Sequence, residues 1–163
     1  MLFSSKFKHY FFNAFRELFV HHHGSLEFRA KLFTLIIAAN ENIKEENYLL
    51  VKQLGLKIYN DDEDRANLLL LSTKELLKKL GDNNGLNIDK LISQIQKDLK
   101  FVPRYAKKID IESLEQFLSL PSEPDTISYQ KNILEFLQTL KDEILLTNQQ
   151  QIDEAEKRLH PKH

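Results

Sequence analysis

Side chains able to do chemistry are few in kind in this sequence. It has no cysteine, which removes disulfides, thiolate metal sites and cysteine nucleophiles. Histidine occurs at His9, in the run His21-His22-His23, and at His160 and His163. Neighbouring residues on a helix point in different directions, so the three adjacent imidazoles cannot all reach one ion. Followed by Gly24, they suit a helix C-terminus, where they complement the dipole. Carboxylates offer one cation candidate. Glu41 and Glu45, brought against the acidic run Asp61-Asp62-Glu63-Asp64, would supply the hard oxygen ligands a divalent cation prefers. The stretch Gly81-Asp82-Asn83-Asn84-Gly85 resembles a calcium loop only superficially. Setting Gly85 at the sixth position of such a loop puts Leu80 where a carboxylate is required, so a turn is expected.

A second cluster is basic and aromatic. Lys97, Lys100, Arg104, Lys107 and Lys108 surround Phe101 and Tyr105, the mixture that binds RNA or single strands through phosphates and stacked bases. Lys100, Arg104 and Lys107 would carry that contact. Cations near a helix C-terminus explain the same pattern through the helix dipole, so nucleic acid is the less favoured partner. No glycine-rich phosphate loop, nucleophile elbow, paired-histidine zinc helix or kinase signature is present. The reading is of a protein that is not an enzyme and needs no cofactor, a divalent cation being the one alternative.

The elements that would hold these residues read as helices. Residues 25–39 form the centre: from Leu32 to Ala39 only Thr34 is polar, and a helix apolar on nearly all sides must be surrounded by others. Ser25 is its expected cap. After the corner Asn40-Asn42, a second helix is expected from Asn42, with Glu45 at the capping-box position and Gly55 as its stop. The hairpin 25–55 would thus pair two neighbouring helices. A further helix starts inside the acidic run and ends at Leu80. Another, capped by Asn87, carries Ile88, Leu91, Ile92, Ile95 and Leu99. Pro103 interrupts the pattern, and Asp110 caps a helix that ends at Pro121. Asp125 caps a long final helix through Ile133, Leu137, Leu140 and Ile144.

The N-terminal stretch 3–20 is the most aromatic. Phe3, Phe7, Tyr10, Phe11, Ala14 and Leu18 share one helical side, and Phe12, Phe15 and Phe19 widen it to an arc of roughly 200°. Core packing accounts for much of such a face. Phe12, Phe15 and Phe19 are the candidate contacts for a protein partner.

Composition sets the outer bounds. The 163 residues suit one domain with a sizeable core, and 4 Gly with 4 Pro leave few turns for an all-β fold. A formal net charge of -1 gives no global field for nucleic acid or anionic lipid. No apolar run approaches the roughly 20 residues of a membrane span, and no signal peptide is evident. With cysteine absent, a reducing, cytoplasmic location is expected.

The helix and corner FRAKLFTLIIAANENIKEEN, residues 28–47, resemble the opening of a TerB-like domain, the all-α module of tellurite-resistance proteins. The same module precedes the J domain in DjlA-type DnaJ co-chaperones. Those families place Ala-Asp-Gly after an apolar helix, followed by an Ile and a Glu. Here Ala39, Asn40, Glu41, Ile43 and Glu46 stand in those places. Asn40 replaces the usual Asp, which weakens any metal role at the corner. Glu41 replaces a Gly that permits positive φ, so a different turn is expected.

The resemblance implies a module in a co-chaperone, with chaperone machinery or a downstream J domain as partner. The His-Pro-Asp tripeptide that activates Hsp70 is missing, since His160-Pro161 is followed by Lys162. The expectation is therefore a single all-α, TerB-like domain over 1–146. It forms a bundle of about seven helices around a buried centre, followed by a polar tail or linker over 147–163. Its function would be protein interaction, with a homodimer among the forms to test.

Overall fold

The computed structural model describes residues 24–83 and 85–159. Six α-helices and two 3-10 segments make up the described residues, with no strand among them: α1 (Gly24–Ile37), α2 (Glu45–Ile58), α3 (Glu63–Gly81), α4 (Ile88–Phe101), a 3-10 turn (Pro103–Lys108), α5 (Ile111–Glu115), a second 3-10 turn (Gln116–Ser119) and α6 (Pro124–Leu159). The fold is all-α.

Helix α1 is the centre that its composition predicts. Ten of its side chains are buried, Lys31 and Thr34 among them, and Ile36 and Ile37 are both 0% exposed. Buried apolar side chains of α3, α4 and α6 join it in one core, together with Ala106 of the first 3-10 turn, Leu114 of α5 and Phe117 of the second 3-10 turn. The Phe33 and Phe117 rings lie 5.7 Å apart and the Phe28 and Tyr105 rings 5.3 Å apart. Thr34 donates its hydroxyl to the Ala30 carbonyl one turn back, which lets a polar side chain be buried inside the rod.

Three local expectations shift. Gly24 is already helical, so Ser25 lies inside the first turn of α1 and is not its cap. The corner is longer than Asn40-Asn42: α2 starts at Glu45, and Lys44 precedes it without any side-chain cap. The capping box expected from Asn42 and Glu45 is therefore absent. Gly55 does not stop α2, which runs on to Ile58.

The hairpin also changes partners. Helix α2 packs chiefly on α3, while the centre α1 packs chiefly on α3 and α4. A tight return explains this: Asn60 and Asp61 take positive φ of 53° and 65°, reversing the chain between α2 and α3. Asn and Asp tolerate that region better than other side chains. A further turn with positive φ, at Asn83 and Gly85, joins α3 to α4.

Helix α6 begins at Pro124, so Asp125 sits in its first turn and the proline takes the position that needs no N–H. It continues to Leu159 without a break at residue 146, and the expected tail is helical as far as the described residues go.

Candidate interaction surface

The corner after α1 is built from two amides. The last carbonyls of a helix have no partner within it. Asn40 supplies one from its backbone N–H and its side-chain Nδ2, which donate to the Ile37 carbonyl at 3.0 and 2.9 Å. Gln130, buried on α6, donates from Nε2 to the Ile36 carbonyl at 3.1 Å. Glu41 is not among the residues with positive φ, in keeping with the different turn that its side chain requires. The corner is thus a helix stop, clamped from 94 residues away by the Gln130 bond.

Glu41 and Glu45 are both exposed. Among the described residues no three His, Asp or Glu side chains converge as a metal-ligand set. The acidic run has its own employment. Asp62 caps α3, accepting from the Arg65 N–H at 3.2 Å. Tyr59, just before it, receives an Arg29 hydrogen bond at 3.3 Å, and the guanidiniums of Arg29 and Arg65 lie 5.4 and 5.9 Å from its ring centre. Burial raises the Tyr59 hydroxyl pKa, an effect that Arg29 and Arg65 partly oppose. Tyr48 is raised as well, by burial and then by the Glu45 charge, while Lys74 sits 4.9 Å above its ring.

The basic and aromatic cluster lies in the open. Lys100, Arg104 and Lys107 are exposed, and Phe101 is 70% exposed with the Lys97 ammonium 5.9 Å from its ring centre. Arg104 stacks on Tyr105 at 5.5 Å. Arg104, Tyr105, Lys107 and Lys108 line one side of an open depression of about 420 Å³, with Gly24 and Ser25 on the other. A shallower, more apolar groove of about 360 Å³ runs between α2 and the second 3-10 turn, past Leu49, Leu50 and Leu120. Leu49 is 54% exposed there.

Phe12, Phe15 and Phe19, with every histidine of the chain, lie outside the described residues. Two polar positions with large consequences escaped the sequence reading. Lys31 forms a 2.7 Å ion pair with Asp98 of α4 from within the apolar rod. Gln130 shares the stripe of Ile133 and Leu137, so its inward face was legible from spacing, but its partner was not.

No family model matches the chain, and no curated protein or solved structure matches it. Among the described residues no helix is long and apolar enough to cross a membrane.

Proposed function

We propose that the chain is a non-enzymatic, TerB-like protein-interaction module of the kind that precedes the J domain in DjlA-type co-chaperones. The observation that carries this reading is how the polar side chains are used. Asp62, Asn87 and Asp110 cap helices, Asn40 and Gln130 close the end of α1, and Lys31 pairs with Asp98. The large apolar side chains Leu49, Phe101 and Tyr129 stand exposed instead. Apolar surface of that kind suits a partner protein better than a small polar substrate.

The contact surface of the module is the aromatic side formed by Phe12, Phe15 and Phe19, which takes a chaperone component, a J domain encoded beyond His163, or a second copy. Changing Phe12 and Phe19 together to Ser tests this. Partner recovery or solution mass should fall while the helical circular dichroism is retained. Unchanged mass and recovery would refute that surface.

A second reading has its own observation, the open position of Phe101 between Lys97 and Lys100. A single-stranded RNA would stack on that ring and pair its phosphates with the cations. Binding should weaken with salt, and neutralising Lys100, Arg104 and Lys107 to Gln should flatten the salt dependence. Binding that ignores both salt and these substitutions rules it out.

A further inference from the structure

Positive charge is concentrated in residues 97–108. Lys97, Lys100, Arg104, Lys107 and Lys108 stand there against one carboxylate, Asp98, in a chain whose formal net charge is -1, so the remainder of the chain is net acidic. Asp98 is taken by Lys31, at 2.7 Å. The next carboxylate along the chain, Asp110, is taken by the cap of α5, where it accepts from Ser113. Neither is left over to neutralise the cations between them.

The fold turns these cations outward on a support anchored from beneath. Leu91, Ile95 and Leu99 are the buried row of α4. Phe101 follows Leu99 by two residues, about 200° around a helix of 3.6 residues per turn, and so points away from the core. It is 70% exposed, with the Lys97 ammonium 5.9 Å from its ring centre. Pro103 then opens the first 3-10 turn, in which side chains three apart lie in one row. Ala106 and, just past the turn, Ile109 form the inner row and are both 0% exposed. Arg104 and Lys107 form an outer row, exposed like Lys97 and Lys100.

We propose that this surface rests on an anionic lipid bilayer, with Phe101 entering the headgroup region and the cations pairing with the lipid phosphates and carboxylates. Charge complementarity names the partner. A basic cluster of this size is drawn to anionic headgroups, each cation adding to the attraction, and an aromatic side chain adds apolar burial at the boundary with the acyl chains. A single strand of RNA would use the same cations but stacks successive bases on successive rings. The second ring is not on offer here: Tyr105 packs on Phe28 at 5.3 Å and lies beneath Arg104 at 5.5 Å. A lone ring among cations favours the lipid surface over the strand.

The groove beside Leu49 has no such charge, its polar lining being Glu46, Gln53, Gln116 and Ser119. Contact through Phe101 lies on the bilayer and needs no spanning helix. The inference goes beyond the proposed interaction role and does not depend on it. It competes with RNA for the same cations, and one set of measurements separates the two.

The chain has no tryptophan, so the full-length variant Phe101→Trp places a single reporter at the contact. On vesicles of phosphatidylcholine with about 30% phosphatidylserine, its emission should shift to the blue and be quenched by brominated lipid. Vesicles of phosphatidylcholine alone should do neither. Affinity of the parent protein for the anionic vesicles, read by co-sedimentation, should fall with added salt. It should fall about tenfold when Lys100→Gln is combined with Lys107→Gln. Phe101→Ser should weaken it several-fold with every cation in place. These positions are exposed, so each variant should keep the parent's helical circular dichroism. Emission unmoved by anionic vesicles, or vesicle binding that survives the double substitution, overturns the proposal. Binding to oligouridine without binding to vesicles overturns it too, and assigns the cations to nucleic acid.

Discussion

Gly55 shows how one absent methyl sets the distance between two helices. Glycine after an apolar stripe resembles a stop signal, yet α2 passes through it. A Cβ built there would lie 3.1 Å from the Ala66 Cα and 3.2 Å from the Ala66 Cβ and Leu69 Cδ2, which is backbone as well as side chain of α3. The glycine is present for close approach, and that purpose is invisible until the neighbour is known. Gly55→Val should destabilise the protein by about 1–3 kcal/mol, the usual cost of overpacking. The urea midpoint should fall while the native circular dichroism remains helical. An unchanged midpoint would show that α2 and α3 can separate at no cost, against the contact described. Lys31 teaches the same lesson: its place on a buried rod was plain, whereas Asp98, 67 positions away, was not.

At the scale of elements, what was legible in the sequence is what three or four neighbouring residues can settle among themselves. Asp62, Asn87 and Asp110 each accept from the N–H three positions on, as their place ahead of an apolar stripe indicates. Asn40 and Gln130 serve the other end of a helix, where no short signature exists without glycine, and Gln130 does so from another element. The start of α2 was misplaced because Asn42 and Glu45 have the composition of a capping box without its geometry.

Asp110 gives the element-scale test. Burial pulls its carboxyl upward in pKa. The Ser113 hydroxyl at 2.6 Å, the Ser113 N–H, and the charges of Lys141 and Lys57 together hold it below its ordinary value. A folded pKa below the unfolded one means stability that is present above the unfolded value and lost as pH falls through the folded one. Asp110→Ala should therefore cost about 1 kcal/mol at pH 7, as lost caps do. The gap from the parent protein should shrink on acidification below about pH 4, near the ordinary pKa of an aspartate carboxyl. Urea midpoints of both proteins at several pH values decide it. A gap that is constant down to pH 2 would mean that the carboxylate charge contributes nothing to the cap.

At the scale of the whole molecule, the bundle is a buried rod, α1, enclosed by the other helices and the two 3-10 turns. That enclosure was legible because a helix with so few polar positions has no face to give to water. Which neighbours enclose it was not, because ridge-and-groove packing depends on pairs far apart in the chain. Phe117 is the clearest measure of the arrangement: it sits on a four-residue 3-10 turn, is 0% exposed, and holds its place by packing on Phe33 of α1. If α5 and that turn are only a lid, Phe117→Ala should loosen them alone. If they are part of one core, truncation should cost about 3–5 kcal/mol, typical for a buried phenylalanine. That is a large share of the about 5–15 kcal/mol of a whole domain. With no tryptophan and 5 tyrosines in the chain, tyrosine fluorescence and circular dichroism report different parts of it. We expect both transitions to move together to lower urea, with hydrogen exchange in α1 accelerated as strongly as in α5. Exchange that rises in α5 while α1 stays protected would divide the bundle into a rigid rod and a detachable cover.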